Sequence, residues 1–192
     1  MTASKTLRAL TVSVLALSLS ILIALPAHAD EEDNPVVPVV DAPVRVAPVV
    51  LKIPSLGVNA DIVPVGEDPD GAMDVPPNPD IVAWWSLGYG TGETGNVVLA
   101  GHVNWDFGAR LGVFGRLRQL QAGDEVVVVD ERLREYHYAV TWSRQVTADG
   151  APIDEFFGDS QPAGVTLITC GGAFDVGAHM YVDRIIVRAV KV

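Results

Sequence analysis

A mainly β domain, either a closed barrel or a sandwich, is predicted by three features of the sequence. Short runs rich in Val, Ile and Leu recur at 49–53, 58–65, 96–101, 125–130, 136–146, 165–170 and 184–192, each of strand length. Turn signals separate them, and helical signals are confined to 113–120 and to 153–157, the latter following the breaker Gly150-Ala151-Pro152. No internal repeat is visible, and an apolar fraction of 49% is enough to fill a barrel with Val, Leu and Ile.

The chain opens with Lys5 and Arg8, an uncharged apolar run at 10–25 and the small-x-small pattern Ala27-His28-Ala29. This is the pattern of an export signal cleaved before Asp30. The apolar run is short for a spanning helix, so residues 1–29 read as a signal peptide, with an uncleaved membrane anchor as the alternative. Residues 30–48 are acidic and then Pro/Val-rich, with Pro35, Pro38, Pro43 and Pro48 too closely spaced for helix, so they read as an extended tether. Removing 29 residues from 192 leaves 163, and residues 49–192 suit one domain.

The removed segment carries two of the 13 basic residues and none of the 24 acidic ones, so 11 against 24 leaves a net charge of −13. Such a balance disfavours nucleic acid and anionic membrane surfaces as partners. The scattered Asp and Glu are explained by solubility, no calcium-ligand run stands out, and neither a metal nor another cofactor is expected. A monomer is expected. Within the domain, Asp68-Pro69-Asp70-Gly71 is a turn tetrad, Gly123-Asp124 opens a strand, and 130–135 is a charged hairpin link.

Cys170 is the only cysteine. It cannot form an internal disulfide, and an odd thiol in an exported protein is a liability unless it reacts. It closes the apolar run VTLITC, and Gly171-Gly172 is expected to break the strand there and bring bare backbone near the sulfur. The run VVLAGH ends in His102 as the other ends in Cys170, and a histidine beside a thiol supplies the proton transfers that acyl transfer through a thioester requires. Arg184 opens the last apolar run, where a planar, permanent cation suits an oxyanion. Arg188 and Arg144 are rivals for that task, and His179 is the rival of His102; His28 leaves with the signal, and His137 fits ordinary strand alternation.

TLITC, with His102 68 positions before the cysteine and Arg184 fourteen after it, resembles the sortases. LKIPSLGVNADIVPVG, VPPNPDIVAWW, AGHVNW and ITCGGAFD are most similar to class F members, and the likeness runs from about Leu51 to Val192. The resemblance implies an eight-stranded sortase barrel with two or more short helices. It implies Cys170 as nucleophile, His102 as general acid or base, and Arg184 as stabiliser of the oxyanion or substrate carbonyls. It also implies a substrate and an acceptor. An LPxTG-like sorting signal of a surface protein would be cut between Thr and Gly, and the acyl group would pass to an amine such as that of a cell-wall precursor.

Thr169, Ala100 and Val103 are implied as substrate-groove linings, and 145–164, with Phe156 and Phe157, as a substrate-binding loop. The stretch from Asn104 to Gly108 either shapes amine access or packs through Trp105. The competing readings are a non-catalytic exported barrel that binds a surface ligand and a hydrolytic cysteine peptidase. The location expected is the extracellular face of the membrane or the cell wall, or the secreted fraction.

Overall fold

The computed structural model describes residues 45–105, 108–150, 157 and 163–192. Its ten strands are β1 (Pro48–Ile53), β2 (Val58–Val65), β3 (Val82–Trp85), β4 (Asn96–Ala100), β5 (Asn104–Trp105), β6 (Arg110–Leu111), β7 (Glu125–Asp130), β8 (Glu135–Thr147), β9 (Gly164–Asp175) and β10 (Met180–Lys191). Eight of them close a barrel in the order β1-β2-β3-β4-β9-β10-β8-β7, which settles barrel over sandwich. β2 with β3 and β4 with β9 are parallel pairs, and the other neighbours run antiparallel. The remaining two, β5 and β6, form a separate small hairpin just after His102.

Alternation along the strands fills the interior. Leu51 and Ile53, Val97 and Leu99, Val126 and Val128, Val165 and Leu167, and Ile185 and Val187 enter one buried cluster, as period-2 side-chain geometry requires. The same cluster receives Phe114, Leu117 and Leu120. Their spacing of three suits the tighter 3-10 geometry, and the helix expected over 113–120 is instead a run of turns leading into a 3-10 segment, Leu117–Gln119. The other helical elements among the described residues are the 3-10 turns Pro54–Leu56 and Ala148–Gly150; the helix expected at 153–157 falls almost wholly outside the described residues.

Three further expectations differ. The tether boundary at 48 falls inside the barrel. Pro48 begins β1, where a strand tolerates proline, and Val46 is buried, its carbonyl accepting from both the amide and the hydroxyl of Thr91. β3 was not expected, being four residues long and preceded by a proline-rich stretch. Gly171-Gly172 does not end its strand either. β9 continues to Asp175, and the pairing Gly171↔Asp183 followed by Phe174↔Tyr181 leaves Gly172 and Ala173 opposite Val182. That is a β-bulge, with Gly172 at φ 73 absorbing the extra residue as an L side chain would not.

Candidate active site

Two adjacent strands, β9 and β10, carry Cys170 and Arg184, and His102 follows the end of the neighbouring β4 by two residues. Parallel pairing of β4 with β9 runs through Ala100↔Ile168, and two hydrogen bonds extend it beyond the end of β4. The Gly101 amide donates to the Ile168 carbonyl at 3.1 Å, and the Thr169 hydroxyl donates to the Gly101 carbonyl at 2.7 Å. The residues that follow, His102 and Cys170, are therefore delivered side by side. On the other flank Cys170 is the register partner of Arg184 across the antiparallel β9–β10 pair, so these two side chains share a face.

His102 is fixed from several directions. Its carbonyl accepts from the Phe114 amide at 3.0 Å, and Gly112 lies so close that a Cβ there would sit 2.3 Å from that same oxygen. Gly101 permits close packing too, though by the side chains of Val113 and Phe114. The ring meets Trp105 edge to face at 5.3 Å, and its Nε2 lies 2.8 Å from the Pro76 carbonyl. A carbonyl only accepts, so this contact assigns the proton to Nε2 and leaves the Nδ1 lone pair for chemistry in the neutral ring.

Arg184 is anchored by Nη1, which donates to the carbonyls of Tyr181 at 3.0 Å and Asp183 at 2.9 Å. Among the described residues no carboxylate neutralises it, so its charge is available to a substrate oxygen. Beneath it the Gln145 amide donates to Asp183 at 2.6 Å.

Cys170, His102 and Arg184 open onto one cleft of about 370 Å³. Ala100 and Thr169 line it as expected positions, although Thr169 is only 3% exposed and its hydroxyl is committed to Gly101. Val103 lines a second cavity of about 200 Å³, which shares Thr169 and Cys170 with the first. The first cleft is mostly apolar, bounded by Met73, Val75, Ile168, Ile186 and Phe157. Phe157 packs edge to face on Trp85 at 5.4 Å; Phe156 lies outside the described residues.

The rivals sit elsewhere. His179 occupies an exposed turn at φ 55 and lines neither cavity, and His137 is a surface group against Glu125 at 2.9 Å. Arg144 stacks on Trp142 at 4.4 Å, and Arg188 donates to Asn96 at 2.8 Å; neither lines the cleft. His28 lies outside the described residues.

Sequence reasoning missed the wall formed by Ala72, Met73 and Val75, and the Pro76 carbonyl. All belong to the irregular β2–β3 connection, where no periodicity marks a functional face. The available signal was the Asp68-Pro69-Asp70-Gly71 turn. There Asp68 Oδ1 accepts from the amides of Asp70 and Ala72 at 2.9 Å each, directing the chain back toward the cleft.

A thiol, an imidazole with a free nitrogen and an unneutralised guanidinium at one cleft mouth are the components of acyl transfer through a thioester. Comparison with known proteins points the same way. Residues 51–192 match the family model of the sortase domain. Solved structures with the same fold include a sortase D5 transpeptidase of Clostridium perfringens, at 20% identity and TM-score 0.55, covering 76% of this chain and 79% of that one. A sortase A lid mutant of Corynebacterium diphtheriae has 18% identity and TM-score 0.59 over 76% of this chain and 70% of its own. Sortase C-1 of Actinomyces oris has 22% identity and TM-score 0.57 over 75% and 73%. No match is found among curated protein sequences.

Proposed function

The chain belongs to the sortase family, whose members are cysteine transpeptidases, and on that premise we propose that Cys170, His102 and Arg184 are its catalytic residues. The observation that carries this is the three-strand alignment. Cys170 faces Arg184 in register, stands beside His102 through the Thr169–Gly101 tie, and opens onto an apolar cleft. His102 Nδ1 takes the Cys170 thiol proton as the sulfur attacks a peptide carbonyl, Arg184 stabilises the oxygen as it becomes anionic, and His102 then passes that proton to the departing amine as the carbon–nitrogen bond breaks. The acyl group rests on sulfur until a second amine takes it. Water substitutes poorly.

The substrate proposed is an LPxTG-like sorting signal of a surface protein, cut between Thr and Gly. A cleft of 370 Å³ walled by Met73, Val75, Ile168, Ile186 and Phe157 suits the aliphatic end of such a peptide. The acceptor proposed is an amine of a cell-wall precursor, and the place is the extracellular face of the membrane or the wall, consistent with the export pattern of residues 1–29. The class F likeness rests on the sequence stretches that carry it.

Incubating residues 30–192 with a panel of LPxTG-like peptides, with and without an amine, and sequencing the products by mass spectrometry tests this reading. Cleavage after Thr that depends on Cys170, with products extended by the amine, is expected. Cleavage elsewhere, or products that never incorporate amine, would overturn it.

A further inference from the structure

Cys170 lines two cavities rather than one. The larger, apolar cleft holds His102 and Arg184; the smaller, of about 200 Å³, shares Thr169 and Cys170 with it and is bounded by Asn104, Arg118, Gln145, Gly171 and Tyr181. Resting on the acyl-enzyme reading above, if the acyl chain fills the larger cleft, the amine that leaves and the amine that arrives use the remaining approach to the carbonyl. By microscopic reversibility both use the same side. The smaller cavity, of about 200 Å³, has room for the aminoacyl end of an acceptor.

Its polar lining is selective. Asn104 and Tyr181 are hydrogen-bonded to each other, which clasps the β5–β6 hairpin to the start of β10, and Gln145 is committed to Asp183. Arg118 sits in the middle of the 3-10 segment Leu117–Gln119, and among the described residues no carboxylate pairs with it. A guanidinium without a carboxylate partner among the described residues, on an exposed residue that lines the same small cavity as Cys170, suits an anionic planar group on an incoming molecule.

We propose that this cavity is the acceptor subsite and that Arg118 selects amines bearing a carboxylate close to the reactive nitrogen. In the step concerned, the amine nitrogen bonds to the thioester carbon and the carbon–sulfur bond breaks. The sulfur receives the proton that the amine gives up, relayed by His102, so that an amide and the Cys170 thiol are formed with no other reactant. Arg118 takes no part in these bond changes; it places the amine.

The test compares transfer to glycine with transfer to glycinamide, and to diglycine with diglycinamide, from a peptide substrate of the full chain lacking residues 1–29. Wild type, Arg118→Ala and Arg118→Glu are measured, with accumulation of the acyl adduct on Cys170 followed separately. Within each protein the readout is the ratio of kcat/KM for acid over amide, so the intrinsic difference in amine basicity cancels when proteins are compared. Loss of a charge-assisted contact is expected to lower the ratio about tenfold in Arg118→Ala for at least one pair, and further in Arg118→Glu. Ratios within threefold of wild type for both pairs, with the adduct forming normally, overturn the acceptor assignment alone. Absence of any Cys170 adduct in the wild type overturns the catalytic reading and this inference with it.

Discussion

Replacing Thr169 by Val removes one oxygen and tests whether the tie between β4 and β9 positions Cys170 and His102, the proposed nucleophile and proton carrier. Thr169 is 3% exposed, and its hydroxyl donates to the Gly101 carbonyl at 2.7 Å, joining the residue before Cys170 to the residue before His102. Valine keeps the shape but leaves that carbonyl unpaired in a buried residue, a loss of roughly 1–3 kcal/mol. For a domain of this size that lowers Tm by roughly 2–10 °C. The effect on catalysis is larger in kind, because only the Gly101 amide to Ile168 carbonyl bond at 3.1 Å then holds the strand ends together. A displacement of His102 from Cys170 approaching 1 Å costs about a hundredfold, so kcat/KM well below Tm is expected to fall roughly 10- to 100-fold. Thr166→Val is the control. Thr166 is equally buried on the same strand, but its hydroxyl exchanges hydrogen bonds with Asn96 at 2.8 and 3.1 Å, away from the cleft. Circular dichroism melts and peptide-cleavage kinetics on both variants and on Thr169→Ser separate the effects. Thr169→Val should lose activity that Ser restores, whereas Thr166→Val should lose stability with little change in kcat/KM at matched folded fraction. Equal activity losses at the two threonines would refute the reasoning.

His102→Ala is expected to lower kcat/KM by at least about a hundredfold and His179→Ala by less than about tenfold, measured on one peptide substrate; a larger loss at His179 would reverse the assignment. Arg184→Lys should lose at least about tenfold, because one ammonium cannot hold the carbonyls of Tyr181 and Asp183 and still face the substrate as a planar fork does. Asp130 governs acid stability. Burial alone would raise its pKa, but the Arg134 amide and guanidinium, the Arg132 amide and the Tyr136 hydroxyl together pull it below the ordinary carboxylate value. With the folded pKa depressed, its stabilisation is full above the unfolded value near 4 and is lost as pH falls through the folded one. Asp130→Asn should therefore lower Tm by roughly 3–8 °C at pH 7, with the gap to wild type closing below about pH 4; a gap that persists at pH 2–3 contradicts this.

The strands were legible because a barrel interior imposes a period of two, and pairs such as Val97/Leu99 and Val165/Leu167 satisfy it in the sequence. β3 escaped because four residues carry too little of that period beside a proline run. The Gly171-Gly172 pair was misread because glycine signals both a strand end and a bulge, and only the partner strand β10, which continues to pair, decides between them. Phe114, Leu117 and Leu120 looked helical because spacings of three and of 3.6 differ little over two turns. Cys170, His102 and Arg184 could be singled out as candidates because each lies at or just beyond a run that reads as strand, but type and position alone left His179, Arg144 and Arg188 as rivals. The Pro76 carbonyl could not, being a backbone atom brought to the imidazole by a connection with no periodic pattern.

The most direct measurement is the intact mass of residues 30–192 during turnover of an LPxTG-like peptide quenched in acid. A mass increase equal to the acyl fragment, located on Cys170, cleared by added amine and absent from Cys170→Ala, is the expected result. Peptide cleavage by Cys170→Ala, or an adduct on any other residue, would contradict the role of Cys170 as the nucleophile.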